Sequence, residues 1–317
     1  MVNSLIEQNL VTRQETPQHE ATGKIGRPRE LLYVNPNKYY TLVLSTGNDC
    51  RFLSFLHYGD IKPCFMLKLP NYPHTWDLVQ AVNHAIADFC SARQVKRSAF
   101  LSQVVVLRAS LQQGYDGMVF RDNTLQEVDF KLGQMLTEAT AIPTYVCNLA
   151  YGHLLGLLAK LPQCDNALVF MAGDGGVGLG FIINKQIMTG PHNCYPECSH
   201  LPFPGGFEQA LGNYGPHSAN ALEYGIKILA PIFKFSAIIV SGIALADHEE
   251  VIYTVQQRLK IDPNPLMHHF KLSFVPLTNP ERFIHFAYLS FDLAIERLNP
   301  CIIKRNLQSV LQARYGK

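Results

Sequence analysis

Charge is what this chain has little of. Only 16% of its 317 residues are Asp, Glu, Lys or Arg, and the formal net charge is +2. So even a balance gives no overall field to draw in a polyanion, and nucleic acid would have to be held by a local patch. Apolar runs of membrane-spanning length are missing, and so is the apolar core of a signal peptide near the N-terminus. Eight cysteines lie at irregular spacing, with Cys90 and Cys147 inside apolar segments. That usage excludes a disulfide framework and fits reduced thiols, so the expectation is a soluble cytoplasmic protein. Periodicity alone shows no internal repeat. The length is large for one core and comfortable for two lobes.

Glycine, by contrast, is concentrated in one stretch. An apolar run from Ala167 to Met171 is followed by Gly173, Gly175, Gly176, Gly178 and Gly180, then by a second apolar run, Phe181-Ile182-Ile183. This predicts strand, tight turn, strand; Asn184-Lys185 makes another turn into a short piece from Gln186 to Met188. The loop beyond carries His192, Cys194, Glu197, Cys198 and His200. Successive glycine N–H groups can form an anion-binding concavity, which makes Gly173, Gly175, Gly176 and Gly178 candidates for phosphate contact. A tight turn is the plainer reading. No Lys-Ser or Lys-Thr follows, so the stretch is not a P-loop. Asp174 and Asp165 read as turn residues.

Elsewhere the pattern alternates between strand and helix. Leu5, Ile6, Leu10 and Val11 share a helical face, and the polar stretch from Thr12 to Gly23 follows. LLYVN from Leu31, YYTLVLST and RFLSFLHYG predict a β-meander with turns at Gly47-Asn48 and Gly59-Asp60. Leu78, Val79, Val82, Ile86 and Phe89 place a helix over 75–92, with Thr75 as N-cap. A buried strand is expected at Val104–Leu107, a helix through Leu132 to Thr137, a strand from Pro143, and a helix from Leu149 to Leu161 opened by Asn148. Further helices are expected from Ser218, as N-cap, to Pro231, over 248–259 and 280–297, and from Ile302 to Ala313; strands are expected at 236–241 and 271–275. Strands first and then strands alternating with helices make an α/β protein.

The order of these pieces resembles the ROK family of sugar kinases and repressors. Its glycine hairpin, strand and turn lead to a loop ending in Glu-x-Gly-His, matched here by Glu197-Cys198-Ser199-His200. A Pro, a strand and an Asn-Asp pair correspond to Pro143 through Asn148-Leu149, Gly-x-x-Glu to Gly205–Glu208, and a late strand and glycine turn to Ile238–Gly242. The resemblance implies a two-lobed, actin-like or ribonuclease-H-like ATPase fold with a central cleft. It divides the chain into residues 1–30, a first lobe 31–147 completed by 298–317, and a second lobe 148–297. It also implies that Asn148, Glu197, His200 and Glu208 contact sugar hydroxyls.

Departures from the family pattern fall on its chemistry. Leu149 stands where the kinases keep the aspartate that takes the hydroxyl proton, and a leucine cannot accept one. Ser45-Thr46-Gly47-Asn48-Asp49 replaces the phosphate motif Asp-x-Gly-x-Thr, so its leading carboxylate is absent. The zinc-binding cysteine run after the His is absent as well. These changes imply a sugar-sensing regulator of the N-acetylglucosamine-repressor type, without catalysis and without a cofactor, its glycine loop a relic. The alternatives are a kinase with displaced groups and a dimerising scaffold. A compact alternative set, His192, Cys194, Cys198 and His200, has the ligand types of structural zinc. The phrase Leu5-Ile6-Glu7 to Val11 and the Gly26-Arg27-Pro28 that follows resemble the tail of a winged helix-turn-helix whose first helices would precede Met1. Its cations Lys24, Arg27 and Arg29 could touch DNA phosphates weakly without reading bases. The expected partners are a sugar or sugar phosphate and a second copy of the chain.

Overall fold

The computed structural model describes residues 6–7, 11–14, 31–34, 38–47, 49–122, 124–173, 176–197, 201–212, 216–242, 249–276 and 279–298. Two short antiparallel strands come first, β1 (Val11–Gln14) and β2 (Leu31–Val34), with Val11 opposite Val34 and Gln14 opposite Leu31. Two expectations are corrected here. Val11 belongs to a strand and not to a helical face, and Leu31–Val34 pairs with it instead of opening the meander. The β-branched Val11-Thr12 pair suits extended backbone, and a partner strand stabilises it better than a short lone helix is stabilised in water. Lys24, Arg27 and Arg29 lie outside the described residues, as does the expected helix over 302–313.

The first large sheet begins with the meander β3 (Tyr40–Thr46), β4 (Cys50–His57) and β5 (Pro63–Pro70). Helix α1 (Thr75–Arg93) leads to β6 (Phe100–Leu107), which lies parallel to β3. A side sheet of three short strands follows, β7 (Ala109–Leu111), β8 (Met118–Asp122) and β9 (Val128–Lys131), which sequence reading missed. Helix α2 (Leu132–Thr140) then returns the chain to β10 (Thr144–Asn148), parallel to β6. After α3 (Leu149–Lys160) comes a second meander: β11 (Ala167–Gly173), β12 (Gly176–Ile183) and β13 (Gln186–Ile187). Helices α4 (Phe207–Gly212) and α5 (Pro216–Phe233), strand β14 (Ala237–Ser241), helix α6 (Glu249–Lys260), strand β15 (Lys271–Val275) and helix α7 (Asn279–Leu298) complete it.

The sheet orders are β10-β6-β3-β4-β5 and β13-β12-β11-β14-β15. Each is a meander whose first strand gains two parallel strands on its far side. The topology is therefore duplicated, although no repeat was visible in the sequence.

Alternation along the central strand sorts the first core. Tyr40, Leu42 and Leu44 join Leu53 and Phe55 beneath the buried Leu78, Val82, Ile86 and Phe89 of α1. Val43 points the other way with Leu56, Val104 and Val106, against Phe286, Ala287 and Leu289 of α7. In the second sheet Leu168, Phe170, Val177 and Leu179 pack with Phe207 of α4 and Leu222 and Ile226 of α5. Leu154, Leu155 and Leu158 of α3 cover Ala167, Val169, Met171 and Ile182 on its other face. The last helix of each half thus packs on the sheet of the other half. The two helices cross where Gly152 lies against Phe286, close enough that a Cβ at 152 would overlap the ring.

Two expected caps are corrected. The cap position of α1 is His74, which makes no side-chain capping bond, and Thr75 is the first helical residue. The acceptor is brought in by Glu127: its Oε2 receives the Thr75 N–H and hydroxyl, both at 3.0 Å, and its Oε1 lies 3.2 Å from His74 Nδ1. Burial pushes the Glu127 carboxyl upward, but these hydrogen bonds outweigh it and leave the group below its usual value. The last expected cap, Ser218, lies inside α5 and donates its hydroxyl to the Ala210 carbonyl instead. Among the described residues no helix is long and apolar enough to cross a membrane.

Candidate functional site

Asn148 ends β10 and opens α3, so its side chain sits where the first sheet passes into the helix that covers the second. Its Oδ1 accepts from the Ala150 N–H at 2.8 Å, a helix cap, and its Nδ2 donates to the Ala109 carbonyl at 2.8 Å. These bonds fix the amide and leave it a further N–H and a further lone pair.

The glycine hairpin lies against the same helix end. Along β12 the residues alternate, with Val177 and Leu179 in the second core and the glycines between them facing α3. A Cβ on Gly178 would stand 3.2 Å from Ala150 Cβ and 3.1 Å from Met171 Cε, and one on Gly180 would overlap Leu154. Close approach of a helix explains these two glycines. Gly173 pairs with Gly176 across the hairpin end, and Gly175 lies outside the described residues with Asp174. Glu208, in the first turn of α4, accepts the Val177 N–H at 3.2 Å, which ties it to the hairpin beside Gly178.

The hairpin's other end is occupied differently. Asn184 and Lys185 turn the chain with φ of 52° and 63°, and Lys185 Nζ lies 3.3 Å from Asp165 Oδ1. Seven residues of β11 separate that end from the glycine end, roughly 20 Å. Asp165 is thereby taken away from Asn148.

A side chain that sequence reading passed over closes the arrangement. Gln113 is buried, accepts the Asn148 N–H on Oε1 at 3.3 Å and donates Nε2 to the Asn193 carbonyl at 3.4 Å. Asn193 belongs to the loop after β13, and Cys194 beside it makes a β-bridge with Gln112. Gln112-Gln113-Gly114 has the composition of a solvated turn, and no local signal marks it. Glu197, farther along that loop, is exposed. Cys198 and His200 lie outside the described residues, so neither the sugar role of His200 nor the four-ligand set with His192 and Cys194 is built here. Among the described residues no group of three or more His, Cys, Asp and Glu side chains is placed to hold a metal ion.

The residues next to Asn148 along the chain are apolar or held neutral by burial. Leu149 packs against the apolar cluster of α7. Cys147 and Tyr151 flank it, and burial keeps both neutral, the thiol far up and the phenol pushed up to about 12. His153, buried one turn on, lies 2.9 Å from the Ser241 hydroxyl. That hydroxyl donates to the Val275 carbonyl, which leaves His153 Nε2 as the donor to it. Asp49 is an exposed residue of the β3–β4 turn. The assembled groups, the Asn148 amide and the Glu208 carboxylate, can donate to and accept from hydroxyls.

A model of the ROK family matches residues 68–258, more than half of the chain. The chain belongs to the ROK family. Among curated proteins none matches it. A ROK family transcriptional regulator, homologous to the E. coli MLC protein, shares 16% identity at a TM-score of 0.68, over 99% of this chain and 89% of its own. A ROK family glucokinase from Streptomyces griseus, in complex with glucose and AMPPNP, shares 14% at 0.56, over 79% of this chain and 99% of its own. A ROK hexokinase from Thermus thermophilus shares 14% at 0.57, over 78% and 96%. The fold is that of this family, the two-lobed actin-like ATPase fold. ROK proteins with it include both regulators and kinases.

Proposed function

We propose that this ROK protein senses a hexose or an N-acetyl amino sugar, free or phosphorylated, and does no chemistry on it. The observation that carries this reading is Leu149, an apolar side chain packed against α7 beside Asn148, whose amide would bind a hydroxyl. General-base catalysis needs a titratable group within hydrogen-bond reach of the reacting hydroxyl. Asn148, Glu197, His200 and Glu208 would hold the sugar, because donors and acceptors that a bound ligand shields from water discriminate strongly between hydroxyl patterns. A glucokinase of this fold is known with glucose bound, which supports a sugar as the ligand class. The site would lie between the two lobes, with no cofactor. The remainder of the reading is a cytoplasmic dimer whose Lys24, Arg27 and Arg29 make only weak, salt-sensitive contact with DNA phosphates.

A thermal-shift panel of free and phosphorylated sugars, with and without ATP and magnesium, tests it. A ligand that binds only the folded state stabilises it by about 2.7 kcal/mol at one hundred times its Kd. One sugar should give a shift that ATP leaves unchanged and that Glu197→Ala abolishes. ATP-dependent phosphorylation of glucose, N-acetylglucosamine or N-acetylmannosamine would overturn the reading in favour of a kinase. No shift with any sugar, in a chain that still forms a stable dimer, would overturn it in favour of a scaffold.

A further inference from the structure

Between the side strand β7 and the first sheet, residues 112–114 touch both halves of the molecule. Gly114 exchanges two backbone hydrogen bonds with Val146 of β10, at 3.1 and 3.0 Å, and holds a φ of 148° that favours glycine. Two residues earlier Gln112 bridges to Cys194, in the loop after β13. Gln113 lies between them and is 3% exposed. Its backbone N–H and its Nε2 both reach the Asn193 carbonyl, at 3.3 and 3.4 Å, while its Oε1 receives the Asn148 N–H. One amide therefore uses its donor on the loop that leads to Glu197 and its acceptor on the residue that caps α3. An amide divided in this way links the two backbones: losing its acceptor takes away the Asn148 N–H bond, and losing its donor leaves the Asn193 carbonyl to the Gln113 backbone N–H alone.

We infer that Gln113 is a positioning residue that sets the loop of residues 190–197 against Asn148. Its effect on ligand affinity rests on the sugar-sensing reading above. The donor and acceptor functions can be separated. Gln113→Leu removes both, whereas Gln113→Glu keeps an acceptor for the Asn148 N–H and loses the donor to Asn193.

Amide hydrogen exchange on the full chain without sugar reads the two ends independently. In Gln113→Leu, exchange should quicken at Asn148 and at Gly190 and Cys194, whose amides are bonded within the loop. In Gln113→Glu, Asn148 should keep its protection while Gly190 and Cys194 lose theirs. A residue that merely filled space would not give this split. Unchanged exchange in Gln113→Glu, or equal loss at both ends, overturns the inference, and Gln113→Glu decides it even where the leucine variant does not fold. Titration with the sugar found for the wild type should show binding weakened about three- to tenfold in Gln113→Glu, the worth of one hydrogen bond. If the wild type binds no sugar and the split still appears, the sensor reading fails and the positioning role stands. If sugar binds the wild type and Gln113→Glu equally well, the inference falls and the sensor reading survives.

Discussion

Arg51 lies in the middle of the first half with its side chain fully buried. Its Nη2 donates to Asp122 Oδ1 at 3.3 Å and to the Thr124 hydroxyl at 2.5 Å. Asp122 Oδ1 also accepts the Thr124 and Leu125 N–H groups, so the pair anchors the turn between β8 and β9. Burial pushes the guanidinium pKa down, and the charge of Asp122 works against that. Among the described residues Arg51 Nε and Nη1 and Asp122 Oδ2 have no partner. Removing one member of such a pair strands the other in a dry interior, whereas removing both need not. Arg51→Met should therefore destabilise the protein by about 3–5 kcal/mol. Adding Asp122→Leu should recover part of that loss, with the coupling read by urea denaturation of both single variants and the double variant. Nothing in Asp49-Cys50-Arg51-Phe52 announces this, because a cation two residues from a turn ordinarily points to solvent. Gln113 escaped sequence reading for the same reason: burial of a polar side chain is decided by partners distant in the chain.

At the level of elements, glycines mark where helices come close. The alternating glycines of β12 were conspicuous in the sequence, and the hairpin they form was legible from them. Their purpose was not, since a phosphate and a closely packed helix both require a missing Cβ, and Gly178 and Gly180 face α3. Gly152 is the stronger case. Alanine is favoured over glycine inside a helix by about 1 kcal/mol, yet a Cβ at 152 would overlap the Phe286 ring. Overpacking a core of this kind costs about 1–3 kcal/mol. Gly152→Ala should accordingly lower the urea midpoint without changing the slope of unfolding, and Phe286→Leu placed in the same chain should restore most of it. A midpoint raised by the alanine would mean that the two helices are free to separate.

On the scale of the whole molecule, most strands and helices of both halves could be read from periodicity, while β1 and the short α4 could not. Tyr40, Leu42 and Leu44 gave one face of β3, and Leu78 to Phe89 one face of α1. The side sheet could not be read in this way, because its strands are three to five residues long and β9 is mostly exposed. Nor could the repeated strand order, since alternation says which face a residue takes and nothing about which strand lies beside it. Of the candidate site, Asn148 and Glu208 could be proposed from the order of motifs; the bonds that hold them could not. Because α3 and α7 each cover the sheet of the other half, neither half is complete without the other. Urea unfolding should consequently be a single cooperative transition, with tyrosine fluorescence and far-ultraviolet dichroism giving one midpoint.

That exchange of helices also bears on what would follow if the chain were cut between α3 and β11. The first fragment would carry the lid of the second, and the second the lid of the first. Each piece would leave an apolar sheet face bare until it met its counterpart. The two fragments would then rebuild the molecule by trading lids, so the junction between Lys160 and Ala167 is a natural place to split this protein into a complementing pair.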